Sequence, residues 1–418
     1  MPPHDDAVAD AAHADGLVGA PSSMDDPTGV RAASRHGSEP HTRTAWLTDV
    51  RRSYIDQAAI GYLIYLLGAV TAFLAAALAL SDAQAGMHSS GMAMGIIGAS
   101  LVGHRLDDRF GLRSVHLAAL GILALASLLV AWAPTFAVTL LGAGGFGLGC
   151  GLLLGHVNAA VSASGGVRAL VQFTRSTLIS MMLSLTVPLV IGIGIAIEVG
   201  WQFVIVPAFV LIGIAAVASW GRDDRPNGPA PTHGRLPGAF WLPWLLVVLV
   251  VCVEFGVLFW ASSMVERSTG VSLADATLTI SVFILGVIVA RTGVSTPVIG
   301  CSDPVWLLRI GLALAFAGSL AVWATSSYEL SMAAMFLGGV GLGALYPVAA
   351  SVTLATAPGQ SALASGRVVM ASGVAVLLAP FILGIVADVT GVVTAWLLIP
   401  AICVASMLLT VPLARARG

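Results

Sequence analysis

From about residue 55 to residue 412 the chain is a succession of apolar runs, separated by short breaks rich in Gly, Pro and charged residues. Twelve can be delimited, at 55–80, 87–103, 115–132, 136–160, 171–197, 201–219, 241–262, 273–295, 304–324, 329–356, 362–387 and 392–412. A helix needs about 20 apolar residues to cross the hydrocarbon of a bilayer, and lipid leaves the backbone no partner but itself. Such a series folds as a bundle of spanning helices, an all-α membrane protein. The second and eighth runs are the most dilute, because Gly, Ser and Thr interrupt them.

Charge is distributed accordingly. Only 10% of the residues are charged, against about 25% in a soluble domain. The first 53 residues hold 13 of the 40 charges, which leaves 27 for the other 365. That balance excludes a cytoplasmic enzyme, a large extramembrane domain and a nucleic-acid binder. All 19 basic residues are Arg. Without Lys there is no P-loop to hold nucleotide phosphates and no amine for a Schiff base, so ATP is not expected as a partner and no cofactor is implied. No nucleophile with a base, and no metal-ligand cluster, stands at workable spacing. Cys150, Cys252, Cys301 and Cys403 are scattered singly and indicate neither a disulfide framework nor a zinc site.

Residues 1–53 lack a sustained apolar run and read as a disordered cytoplasmic tail. Residues 54–219 form an N-terminal six-helix bundle, 220–240 a cytoplasmic linker, 241–412 a C-terminal six-helix bundle and 413–418 a short cytoplasmic tail. The first apolar run begins too far from the N-terminus for a cleavable signal peptide, so it is a retained anchor. With the tail inside, Arg51, Arg52, Arg105, Arg109, Arg113, Arg168, Arg222, Arg225, Arg235, Arg291, Arg415 and Arg417 all fall on the cytoplasmic side, and Arg267 falls outside. The positive-inside rule then places both termini in the cytoplasm, with the cell membrane as the expected location.

The two halves repeat one another. Gly144-Gly145-Phe146-Gly147-Leu148-Gly149 is matched by Gly338-Gly339-Val340-Gly341-Leu342-Gly343, and Pro188 and Gly192 by Pro380 and Gly384. Arg175 falls on Arg367, and Asp108-Arg109-Phe110-Gly111 on Ala290-Arg291-Thr292-Gly293. Two parallel six-helix halves, each contributing one side of a midplane site, are the architecture of a rocking secondary transporter.

These residues resemble the major facilitator superfamily of secondary transporters over about residues 54–412. Its signature between the second and third helices runs Gly-x-x-x-Asp-Arg-x-Gly-Arg-Arg, and Asp108-Arg109-Phe110-Gly111-Leu112-Arg113 matches the second part. His104 stands at the opening Gly, with Gly103 one position early, and Leu112 replaces one Arg. In the fourth helix Gly147-x-Gly149 is kept, whereas Ala143 stands where the family carries an Arg. Pro188 and Gly192 are loosely similar to a fifth-helix motif of antiporters. The resemblance implies alternating access between two pseudo-symmetric six-helix bundles. It also implies a gate in which the loop carrying Asp108 packs on the eleventh helix when the transporter faces outward. Asp107, Asp108, Arg109, Gly111, Arg113 and Arg367 are the gating candidates, with Arg367 the available cation. Those charges also serve orientation.

Glu254 lies deep in the seventh run with no other ionisable residue between Arg235 and Glu266. A carboxylate there faces a cavity or a partner rather than lipid, which suits a proton-coupling and substrate-binding group or a structural hydrogen bond. His156 in the fourth run is the second such candidate, since Asn158 points about 200° away around the helix. Tyr62 and Tyr65 share a face of the first helix, either as substrate contacts or as interfacial anchors. Asp56, with Gln57 at the entrance of the first helix, is read as a helix cap in preference to a proton site, and Glu198 and Asp388 as interfacial.

The expected function is proton-coupled efflux of a small amphipathic or hydrophobic solute, because the deep polar inventory is thin. The alternatives are proton-coupled uptake of a metabolite in the same fold, and a non-transporting membrane sensor or assembly partner. The expected partners are the solute, protons and the lipid bilayer.

Overall fold

The computed structural model describes residues 43–132, 135–162, 166–220, 235–294, 303–357 and 361–415. The first half comprises α1 (Arg43–Leu78), α2 (Asp82–Phe110), α3 (Leu112–Trp132), α4 (Phe136–Ser162), α5 (Gly166–Ser184), α6 (Thr186–Ala196) and α7 (Ile205–Ala218). The second comprises α8 (Trp241–Thr269), α9 (Leu273–Val294), α10 (Pro304–Ala324), α11 (Tyr328–Gly343), α12 (Leu345–Ala355), α13 (Ser361–Thr390), α14 (Val392–Ala395) and α15 (Leu398–Arg415).

Three pairs, α5 with α6, α11 with α12 and α14 with α15, are single rods briefly interrupted. Proline causes each break. It has no N–H, and its ring crowds the carbonyl four residues back. Those carbonyls belong to Ser184 for Pro188, Gly343 for Pro347 and Trp396 for Pro400, and α5 and α11 end on these residues. Counted as rods, the described helices form twelve spans, the pair of six-helix bundles expected from the sequence.

Among the described residues, eleven spans are long and apolar enough to cross a membrane. The exception is α2, the dilute second run. It is wedged between α4 and α13, and its buried positions are mostly small: Ala85, Gly86, Ser89, Ala93 and Ala99, with His88 and Met92. Close helix approach needs small residues rather than apolar bulk, so packing between helices accounts for the weak hydropathy signal.

The glycine repeat has a matching structural job in each half. A Cβ on Gly147 would meet the Met92 carbonyl of α2, and a Cβ on Gly339 would meet the Phe283 carbonyl of α9. The intervening glycines face the other neighbour, Gly149 against Leu123 and Ala119 of α3 and Gly341 against Ala315 and Gly311 of α10. One glycine-rich helix per half is thus pressed between two others.

Two boundaries move. α1 begins at Arg43, so residues 43–53, assigned to the tail on composition, are helical, and residues 1–42 lie outside the described residues. Residues 221–234 of the linker and Cys301 also lie outside them. α15 continues to Arg415.

Candidate transport site and gates

Glu254 sits midway along α8, whose other side chains in this stretch are apolar. Its Oε1 accepts a hydrogen bond from the Tyr65 hydroxyl of α1 at 3.0 Å, which joins the first half to the second. Arg291 of α9 and Tyr346 of α12 complete the neighbourhood. Glu254 and Arg291 act electrostatically on both tyrosines, and the Tyr346 hydroxyl bonds Ser372 of α13. Arg291 is positioned by its Nε–H, which donates to the Gly343 carbonyl at 3.0 Å. That is the carbonyl to which Pro347 offers no N–H, so the break between α11 and α12 creates the acceptor that fixes Arg291.

Tyr62 does not join this cluster. It is fully buried, and its hydroxyl donates to the Val204 carbonyl at 2.9 Å, tying α1 to the turn before α7. The two tyrosines share a face but not a role.

His156 is likewise elsewhere. It is buried inside the first half, where its Nε2 bonds Asp107 Oδ1 at 3.0 Å. Its ring stacks on that of His116 from α3, with centroids 5.7 Å apart and planes 18° from parallel. The Nε2 of His116 lies 3.3 Å from Asp56 Oδ1. Asp56 is no helix cap, since α1 starts at Arg43 and Asp56 is buried in its interior. Sequence reasoning missed this four-residue chain because its members stand on four different helices.

At the arginine-rich end of the bundle the gate residues stand apart. Asp108 and Arg109 are exposed, and Arg109 lies over the Phe110 ring at 5.3 Å. Gly111, at φ 80°, ends α2 and donates its N–H to the Asp107 carbonyl, a left-hand conformation that other residues adopt only with strain. Arg113 lies over the Trp220 ring at 5.4 Å. Arg367 is exposed and reaches Met370 Sδ at 3.4 Å. Among the described residues, neither Asp107 nor Asp108 meets it, so the expected gate pair is not made in this state.

The opposite end is closed by a residue read as merely interfacial. The Asp388 carboxylate, at the far end of α13, accepts the N–H groups of Asp82 at 2.6 Å and Ala83 at 3.1 Å. It thereby satisfies two of the amides that any helix start leaves unpaired. Arg267 of α8 forks onto both Asp82 carboxylate oxygens at 3.2 Å. Farther in, Ser90 donates to the Leu377 carbonyl at 2.6 Å, and a Cβ on Gly86 would meet backbone atoms of Pro380 and Phe381. The sequence signal available for this latch was an acid at the end of one helix and a Ser81–Gln84 capping box at the start of another, with nothing to say that they meet.

Comparison with known proteins fits this arrangement. The profile of the Major Facilitator Superfamily matches residues 57–300. No curated protein sequence matches the chain. Among solved structures, a bacterial homolog to the human lysosomal transporter Spinster, inward-facing and occupied, is similar with a TM-score of 0.68 at 16% identity, covering 91% of this chain and 98% of that one. The nucleoside transporter NupG gives 0.68 at 13% identity over 87% and 98% of the two chains. A D-xylose-proton symporter gives 0.71 at 12% over 87% and 97%. At such identities the likeness is one of fold. The profile, however, spans more than half of the chain, and it falls on a duplicated bundle latched at one end. The chain therefore belongs to the major facilitator superfamily, as an integral membrane transporter and not an enzyme.

Proposed function

We propose that the protein carries a small organic solute by alternating access, coupled to protons at Glu254. The observation that carries this reading is the Tyr65–Glu254 hydrogen bond, an acid of one half held by a hydroxyl of the other at mid-span. A buried charge is costly in lipid and cheap when wetted, so Glu254 is an acid whose charge state follows access to water from either end. Rocking of the halves breaks or remakes the Tyr65 contact, which links protonation to motion. The apolar surroundings favour efflux of an amphipathic compound. Closing the arginine-rich end brings Asp107 or Asp108 to Arg367, as the family resemblance implies. The arginine bias places that end, with both chain termini, in the cytoplasm.

Arg291 favours a second reading. A guanidinium beside Glu254, Tyr346 and Ser372 suits a metabolite bearing a carboxylate or phosphate, taken up with protons.

Proton flux in proteoliposomes against a panel of both solute kinds tests the assignment. Glu254→Gln is expected to lose solute-driven proton movement while keeping solute affinity within about tenfold. Undiminished proton movement in that variant refutes the coupling role. Loss of affinity for anionic solutes alone in Arg291→Gln would select the uptake reading.

A further inference from the structure

We propose that Asp56, His116, His156 and Asp107 form a proton-binding site inside the first half that holds the arginine-rich end open when it is loaded. The inference rests on the gate described above and not on the role given to Glu254.

The four side chains are almost sealed from solvent, with exposures of 3% for Asp56, 0% for His116, 3% for His156 and 12% for Asp107. An ionised carboxylate only accepts hydrogen bonds, so Nε2 of His156 carries the hydrogen shared with Asp107. Its Nδ1 is buried with no hydrogen-bond partner, and a bare ring nitrogen is where a proton enters. Protonation there makes the bond to Asp107 a charge-assisted one, which is shorter and stronger than its neutral form. Two stacked imidazolium rings repel at a centroid separation of 5.7 Å, so the pair is arranged to hold one positive charge rather than two. A carboxylate at each end of the stack lets that charge be balanced on either ring.

The charged surroundings are consistent with such a site. From α1, Arg52 points toward the Trp220 carbonyl at 3.3 Å, and Arg113 of α3 covers the same tryptophan. From α2, His104, Arg105 and Asp108 are exposed at the helix end, and on α5 Arg175 is exposed. The Arg168 side chain of α5 lies outside the described residues, and α7 carries no ionisable residue. Among the described residues, no three His, Cys, Asp or Glu side chains converge as metal ligands would, so a proton is the ligand that fits.

Asp107 is where the site acts. In this state it serves His156 and not Arg367. A loaded histidine pair retains Asp107 and keeps the gate apart. Loss of the proton weakens that hold and frees the carboxylate for Arg367. Imidazole is the side chain that changes charge in the physiological range, so the opening equilibrium of this end follows pH on the side that wets it.

Spin labels at Phe110→Cys and Ala355→Cys, in a background without the native cysteines, report the width of this end. In the otherwise native protein, lowering pH from about 8 to about 5.5 is expected to raise the ratio of wide to narrow conformers roughly tenfold. Combined His116→Gln and His156→Gln should flatten the response to less than about twofold, and Asp56→Asn alone should reduce it. The same comparison in a Glu254→Gln background removes the coupling acid from the reading, and the histidine pair should still account for most of the pH response that remains there. A full response in the histidine variant, or no response in the native protein, overturns the proposal. Arg367→Gln separates the gate from the site. If the narrow state persists unchanged in that variant, the gate is misassigned. If Arg367→Gln abolishes the narrow state while the histidine variant keeps its pH response, the gate stands and the proton site is wrong.

Discussion

Gly147→Val is expected to leave little folded protein in the membrane. The valine Cβ would fall on the Met92 carbonyl of α2, and the obstruction is main chain, with the Met92 carbonyl carbon and Cα also inside normal contact range. No rotamer relieves it. α2 and α4 must separate, and α2 is already wedged against α13 on its other side. Overpacking a core costs about 1–3 kcal/mol and sometimes more, against a total stability of roughly 5–15 kcal/mol. A cost near the upper end is expected because backbone has to move. Gly339→Val, at the corresponding helix contact of the second half, should behave alike, since its Cβ meets the Phe283 carbonyl. Gly121→Ala, where nothing lies within 4 Å of the new atom, is the control. Size-exclusion profiles and thermal aggregation in detergent decide the matter. A monodisperse Gly147→Val whose Tm stays within about 2 °C of native would mean that the helices are not held by this contact.

The second large effect is conformational. Asp388→Asn keeps the shape of the side chain but removes the negative charge from the start of α2, and its amide nitrogen replaces an acceptor with a donor. One of the two amides at Asp82 and Ala83 then loses its partner. A charged cap at a helix start contributes about 0.3–1 kcal/mol when exposed and up to about 2 kcal/mol when partly buried. Adding Arg267→Gln removes the fork onto Asp82, whose side chains are 46% and 15% exposed, and such a pair adds at most about 1 kcal/mol. Together these changes are expected to shift the ratio of latched to unlatched conformers about five- to thirtyfold. Spin labels at Val199→Cys and Ser326→Cys, both exposed at that end, should show a new long-distance population. An unchanged distance distribution in the double variant would show that backbone contacts such as Ser90 to Leu377 hold the end shut by themselves.

What could be read from the sequence was what local signals encode. Spans, the duplication and the isolated acid Glu254 each depend on a run, an offset or a gap in the charge pattern. What escaped depends on which helices meet. Asp56 looked like a cap because the apolar run starts near it, whereas the helix starts at Arg43. His116 drew no notice, because a histidine at the start of an apolar run has no local mark of a partner two helices away. Tyr62 and Tyr65 share one helix face, yet the bundle turns one toward Val204 and the other toward Glu254. Arg291 was legible as an orienting charge only. Its role in the central cluster follows from Pro347, which guarantees a vacant carbonyl at Gly343, and that link closes only once α9 lies beside α11.

The latch at the Asp388 end also has a consequence for how the protein meets its surroundings. Its ion pair is partly in contact with water, and mobile ions screen such interactions over about 8 Å at physiological ionic strength. Among the described residues, the seam at the other end contributes no comparable pair in this state. Salt on one face of the membrane therefore loosens the carrier while salt on the other leaves the same contacts untouched, so the two compartments do not act equivalently even when their solute concentrations are equal.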